Sequence, residues 1–491
     1  MLKELFSKQK NKKSSEVTVL ENIDLIDGLS DEVKKGMTII VEDGFITNIG
    51  KENDLTIPQN ANILDFSDKI VIPGLIDCHL HLLQSGVDDF MKPYAERITT
   101  KLKRNSYITI KSGVTTVRNM PGGSGYKIFK FKKKVNQSKV LGPRIIASGP
   151  ALAPSYGYFS LKRFFPANRI IIAILSRIFG AHGLAIDVDS QEEAVRAVKK
   201  IKKEGADFIK TVTPGAHMSF AEKDDELKEE LLKKGIKLET IEASMKPEVL
   251  KTIVDEAHNL NLKVAAHTIC FTEGFKIAVQ AGVDSIEHTP LGLIDDETFE
   301  MMKSNKTYWV PTGYCFYNWT NLIDNPEQYD SDKMKELIPE PFHSLGKKSL
   351  EKVREEIKSG ENLIWSKFYS EMLPFKEKYF PNNFRLALEK GIKIVAGVDG
   401  GASGAGYVPH GQLYKELELF VEHGMSEFEA IQTATKNAAE LLGVEKELGS
   451  IEVGKIADFV ILDANPLENI SNVKNINSVI KEGVLVYNQG K

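Results

Sequence analysis

Eight short runs rich in Val, Ile and Ala alternate with helix-like stretches through the middle of the chain, and no other feature restricts its folding options as much. The runs lie at 72–81, 115–119, 144–151, 208–212, 263–268, 285–289, 309–312 and 393–399. Between them sit amphipathic stretches. In one, 190–204, Ser190 with Glu193 three residues on has the form of a capping box. Others are 246–259 and 426–442, the second ending beside Gly443. Strands alternating with helices in this number describe an α/β chain folded as a parallel (β/α)8, TIM-like barrel rather than a doubly wound sheet. Such a barrel places its chemistry at the C-terminal ends of its strands, so side chains there are the first candidates for function.

The flanks are written differently. Residues 17–70 read as short strands with a turn at Asp43-Gly44, and similar text returns at 448–462 and 478–487. The expected organisation is a frayed tail at 1–16, a small composite β domain built from both chain ends (17–70 plus 448–491), and the barrel at 71–447. Two connections exceed what a plain barrel needs. One is 154–189, with Tyr156, Tyr158, Phe159, Phe164 and Phe165 ahead of an Ile-rich run; the other is 318–391, charged and helix-prone. Long loops on that face are where lids and substrate pockets lie.

Composition excludes some classes. With 42% hydrophobic and 27% charged residues in 491, a large buried core is affordable. A net charge of −4 offers no footprint for nucleic acid. Cys78, Cys270 and Cys315 are too few for a disulfide framework and fit a reducing, cytoplasmic setting. The basic N-terminus lacks the apolar core of a secretory signal, and the run 169–179 is short and contains Arg177, so membrane contact is not expected. Assembly as a homo-oligomer is left open.

The first run ends in His79-Leu80-His81, and alternation along a strand points both imidazoles the same way, about 7 Å apart at their Cα atoms. Taken alone, such a pair could equally be two histidines satisfied by hydrogen bonds. Other strand ends add Lys210, His267, His288 and Asp399. Lys210 by itself reads as salt-bridged or snorkelling. Together, imidazoles and a carboxylate suit zinc or a similar divalent ion. An ammonium cannot ligate, but a lysine carboxylated by carbon dioxide becomes a carbamate whose two oxygens can bridge two metals. The expectation is a two-metal centre with a hydroxide between the ions. Asp399 would take its proton and pass it to the leaving nitrogen.

The ordered motifs PGLIDCHLH, SGVTTVRN, GADFIK, AAH, AGVDSIEHT, VAGVDGGA and LGSIEVGKIADFVILDANPLENI resemble the amidohydrolase superfamily, in particular its imidazolonepropionase-like and Xaa-Pro dipeptidase branch. The resemblance runs from about Val17 onward. It implies a binuclear hydrolase with a carboxylated lysine at Lys210 and metal ligands at His79, His81, His267, His288 and Asp399. Two positions depart from the pattern: Val398 stands where the family usually has Thr, and Ile269 where dipeptidase relatives have a tyrosine that holds the substrate oxygen. The oxyanion donor then comes from elsewhere, or the metal serves alone.

Arg118, His217 and His410 are the candidates for substrate contact. Arg118 could pair with a substrate carboxylate through its rigid fork or serve as a structural ion pair. His217 follows Lys210 in a Pro-Gly-Ala-His loop, and His410 follows the eighth strand. The expected reaction is hydrolysis of a C–N amide bond in a small molecule, a dipeptide of Xaa-Pro type or an N-acyl amino acid. Hydrolysis of a cyclic, imidazolone-type amide is the alternative. A non-catalytic barrel serving binding or assembly is the reading from another class; lost ligands would be its mark, and all six are present.

Overall fold

The computed structural model describes residues 17–490 apart from 85–97, 123–124, 158–159, 161, 163–184, 214–227, 230–231, 234–243, 270, 361–362 and 402–407. The tail at 1–16, the Ile-rich run and His217 lie outside the described residues.

The chain forms a TIM-like barrel beside an eight-stranded sheet drawn from both chain ends. Two parallel sheets make the barrel wall. Leu75–Leu80, Val114–Asn119 and Arg144–Ala147 form one. Ala185–Asp187, Ala151–Ala153, Phe208–Val212, Lys263–His267, Ser285–Glu287 and Tyr308–Val310, in that order, form the other. Residues 393–400 run between them without forming a regular strand. On one side Val395 N donates to Trp309 O (2.9 Å); on the other Cys78 N donates to Ala396 O (3.0 Å) and Asp399 N to His79 O (2.9 Å). Gly397 permits this approach, since a Cβ there would lie 2.7 Å from the Cβ of His79. At the far seam Asp207 N donates to Ala147 O (2.9 Å).

Several expected elements divide, each for a visible reason. The run expected at 72–81 splits at Gly74. Ile70–Pro73 pairs with Phe459–Leu462 in the terminal sheet, and only Leu75–Leu80 enters the barrel. A Cβ at Gly74 would sit 2.3 Å from Thr115 Oγ1, so the chain passes between the sheets only as glycine. The run at 144–151 divides into Arg144–Ala147 and Ala151–Ala153, one in each parallel sheet. The helix expected over 426–442 breaks into Glu427–Thr433 and Lys436–Leu442. Its interrupted carbonyls serve the barrel: Ala434 O accepts from Ile76 N (2.7 Å) and Thr433 O from Ala396 N (3.0 Å).

The helices follow their apolar stripes. Gln191–Glu204 buries Ala194, Ala197, Val198 and Ile201, a spacing that keeps one face inward, and stops at left-handed Gly205. Ser190 caps it, but Glu193 accepts from Asp189 N instead of completing the expected box. The box is complete between Ser426 and Glu429. The 318–391 insertion is helical, from Gly313–Asp324 through Phe342–Ser359 to Phe380–Lys390. No helix among the described residues is long and apolar enough to cross a membrane.

Candidate active site

The strand ends deliver His79, His81, Lys210, His267, His288 and Asp399 as buried side chains. Ligand atoms of His79, His288 and Asp399 lie within 4.8 Å of one another. The rings of His79 and His81 are 5.6 Å apart, those of His79 and His288 4.7 Å, and those of His267 and His288 4.4 Å. Lys210 sits opposite Ala265 in the parallel register that sets His267 against Val212 on one side and Glu287 on the other.

Two ligand candidates adopt a backbone that L-residues rarely visit, His288 at φ 73° and Asp399 at φ 57°. Alternation along Ser285–Glu287 would turn His288 to the face opposite Glu287, and the left-handed bend re-aims it. Trp309 Nε1 donates to His288 O (2.8 Å) and holds the bend. Strain of this kind costs about 1–3 kcal/mol per residue and persists where the surroundings over-determine it.

Each of three imidazoles is oriented through Nδ1. His79 Nδ1 donates to Glu287 Oε2 (2.6 Å), His81 Nδ1 donates to Pro121 O (2.6 Å), and His288 Nδ1 meets Thr312 Oγ1 at 2.7 Å. Carboxylate and carbonyl oxygens only accept, so His79 and His81 each carry a ring proton on Nδ1, and His79, held neutral by burial, has a lone pair on Nε2. The His79 lone pair faces another electron-rich atom, Asp399 Oδ1, at 3.5 Å, and His81 Nε2 lies 3.1 Å from the same oxygen. Asp399 Oδ1 is buried and accepts no hydrogen bond among the described residues. Acceptors facing one another in a dry site repel unless a cation lies among them.

The electrostatics agree. Burial pushes His79, His267 and His288 well below the ordinary imidazole range, with neighbouring positive charges adding to the effect. Neutral imidazole is the form that ligates. Burial also brings Lys210 down to about 8, and its Nζ has no hydrogen-bond partner among the described residues. The residues therefore fit a cationic centre.

The substrate candidates fare differently. Every donor-bearing nitrogen of Arg118 is engaged: Nε with Cys78 O (2.6 Å), Nη1 with Ser285 Oγ (2.8 Å), and Nη2 with Glu287 Oε1 (2.7 Å) and Oε2 (2.8 Å). The role as carboxylate anchor gives way to that of a buried ion pair supporting the residue that orients His79. His410 is buried beneath the glycine turn at 400–401, where its Nε2 donates to Gln84 O (2.8 Å), and burial lowers its imidazole to about 4.

Sequence reasoning missed Glu287, Thr312 and Asp77. Glu287 is fully buried and binds Arg118, Ser285 and His79 at once. Its signal was present: a carboxylate inside an apolar strand, one residue before a ligand candidate, needs a buried partner. Asp77 accepts from His79 N (3.0 Å) and Val398 N (3.3 Å), tying the first run to the eighth, and burial raises it to about 7.

The Amidohydrolase family model matches residues 70–486. The ochratoxinase of Aspergillus niger is 27% identical over 482 residues, covering 94% of this chain and 84% of that protein. The imidazolonepropionase of Clostridium tetani is 22% identical, covering 95% and 93%. Among solved structures, a Xaa-Pro dipeptidase with bound methionine in the active site is similar with a TM-score of 0.70 and 29% identity, over 96% of this chain and 100% of that one. Members of this family are generally metal-dependent, which agrees with the arrangement of His79, His288 and Asp399. From strand order, site chemistry and these likenesses together, the chain belongs to the amidohydrolase family and is a hydrolase acting on carbon–nitrogen bonds.

Proposed function

We propose that the protein hydrolyses the amide bond of a dipeptide, of Xaa-Pro type, or of an N-acyl amino acid, at a centre of two divalent cations on the rim of a closed (β/α)8 ring, with residues 17–70 and 448–491 as a composite β unit beside it. The observation that carries the metal reading is the buried gathering of His79, His288 and Asp399, in which the lone pair of neutral His79 Nε2 faces Asp399 Oδ1 at 3.5 Å. His79, His81, His267, His288 and Asp399 would hold the ions, zinc by the character of the donors. Lys210 would join them as a carbamate: its neutral amine attacks carbon dioxide, a C–N bond forms, and one proton leaves to solvent. A dry site that brings the amine down to about 8 favours this step by leaving about a tenth of it unprotonated at pH 7, several hundredfold more than an ordinary lysine.

When bound, such cations lower the pKa of water and polarise a scissile carbonyl. The Asp399 carboxylate would then take the proton of the attacking water and pass it to the departing nitrogen. Glu287 and Pro121 O keep the protons of His79 and His81 on Nδ1 throughout. The dipeptide preference is supported by the dipeptidase likeness, whose structure holds a free amino acid, the class of product a dipeptidase releases. Similarity to imidazolonepropionase supports ring hydrolysis of a cyclic amide as the second reading.

The test is amine release by zinc-reconstituted protein across dipeptides, N-acyl amino acids and cyclic amides. Turnover limited to linear substrates with a free carboxylate is the expected outcome; turnover of cyclic amides alone would replace it with the second reading. Asp399→Asn should abolish turnover, and a variant retaining near wild-type rate would remove Asp399 from proton transfer.

A further inference from the structure

Between Tyr308–Val310 and the helix Gly313–Asp324 lies a turn that touches two ligand candidates from outside. Thr312, left-handed at φ 49°, presents Oγ1 to His288 Nδ1 at 2.7 Å. Three residues on, the Cys315 thiol donates to Asp399 Oδ2, with Sγ 3.6 Å away. The ring of Phe316 then meets His288 edge-on at 6.0 Å.

The turn is fixed from a different part of the chain. A helix start leaves backbone N–H groups without partners, and here no side chain at the N-cap supplies one. Glu416, fully buried on Leu413–Glu422, does so instead: Oε1 accepts from Gly313 N (2.9 Å) and Oε2 from Tyr314 N (2.8 Å). Only glycine fits this close to the neighbouring helices, because a Cβ at Gly313 would come within 2.4 Å of Phe380 Cε2 and 2.7 Å of Leu419 Cδ2. A carboxylate that only stabilised a helix end could stand at any helix; this one grips the two residues lying between Thr312 and Cys315.

We propose that Glu416 is a positioning residue for the metal centre, holding Thr312 and Cys315 so that His288 presents Nε2, and Asp399 presents Oδ1, to the ion. The inference rests on the metal-dependent reading above. Glu416 touches neither substrate nor ion. It acts through the hydroxyl and the thiol, and each of these fixes the side of its ligand that faces away from the ion. Partners of this kind are commonly worth a ten- to hundredfold difference in metal affinity.

The test is cobalt(II) binding to the full-length apoprotein, followed by chelator competition and by the visible absorption band, with circular dichroism to establish folding. Glu416→Gln keeps one acceptor but sets an NH2 group against the second backbone amide. It should lower cobalt affinity by about ten- to hundredfold and change the band. Thr312→Val should do likewise, and the double variant should lose less than the product of the single losses, because both act through one turn. Folded Glu416→Gln with wild-type affinity and band overturns the proposal, as do losses that multiply independently. Should Glu416→Gln not fold, Thr312→Val and Cys315→Ala decide: a wild-type band and affinity in both overturn it. Wild-type protein that binds no cobalt overturns the metal reading itself and this inference with it, an outcome distinct from failure of the Glu416 variant alone.

Discussion

Arg118 and Arg144 are both only 3% exposed and both paired with carboxylates, yet they serve opposite ends of the barrel. Arg144 opens its strand at the N-terminal end. Its Nη1 donates to Thr116 Oγ1 (2.9 Å) and Asp458 Oδ2 (2.8 Å), and its Nη2 to Glu482 Oε1 (2.9 Å), joining the barrel to the terminal sheet. Arg118 lies toward the C-terminal end of its strand, and its partner Glu287 passes the constraint on to His79. Equal burial and like chemistry therefore yield a weld in one place and a support for the site in the other. What decides is the next bond outward: from Asp458 it returns to backbone, at Glu482 N, and from Glu287 it reaches a ligand candidate.

The sharpest way to break the comparison is Arg118→Leu. Leaving Glu287 buried without its cation should cost about 3–5 kcal/mol of stability, read by urea unfolding, and should also weaken metal binding by at least about tenfold. Arg144→Leu should cost about 3 kcal/mol, lower because Glu482 is partly exposed, while kcat/KM per folded molecule stays within about twofold of wild type. If its activity falls with that of the Arg118 variant, the two arginines do not differ in kind. Glu287→Gln cuts the outward bond together with the ion pair: metal affinity should drop about ten- to hundredfold, while stability falls by about 3 kcal/mol because Arg118 loses its counter-charge.

Acid should separate the two ends more gently. The His410 imidazole, lowered by burial to about 4 from an ordinary value of 6.5, stays neutral in the fold while the unfolded chain gains a proton. Stability on its account is complete above pH 6.5 and declines as pH falls toward 4, by about 1.4 kcal/mol per unit. Burial alone would raise Asp458, but Arg144 outweighs it and holds the carboxyl below 3.8. The weld therefore keeps its contribution until pH falls below that value. Unfolding curves from pH 7 to 4 should show this decline, and His410→Gln should make it shallower, leaving the share of His79, His267 and His288, which burial lowers in the same sense.

The barrel's strand-helix alternation and the strand-end residues were legible because both depend on local periodicity. A His-x-His at a strand end states which way its rings point. Partnership was not legible. Nothing near Arg118 announces Glu287, 169 residues away, so its fork read equally well as a substrate anchor. The bend that turns His288 inward and the break at Ala434-Thr435 arise from hydrogen bonds to distant strands, which alternation cannot report. The division at Gly74 was hidden for another reason: both halves of the run are buried on both faces and look like one strand.

That division bears on how the molecule comes into being. Ile70–Pro73 pairs with Val17–Leu25 on one side and with Phe459–Leu462 on the other, so one flank of its ladder waits for chain synthesised about 400 residues later. Until then an apolar edge is left open to other chains, a hazard that grows with the delay. Folding of the terminal sheet should therefore be the slow, concentration-sensitive step, one that chaperones would be expected to guard.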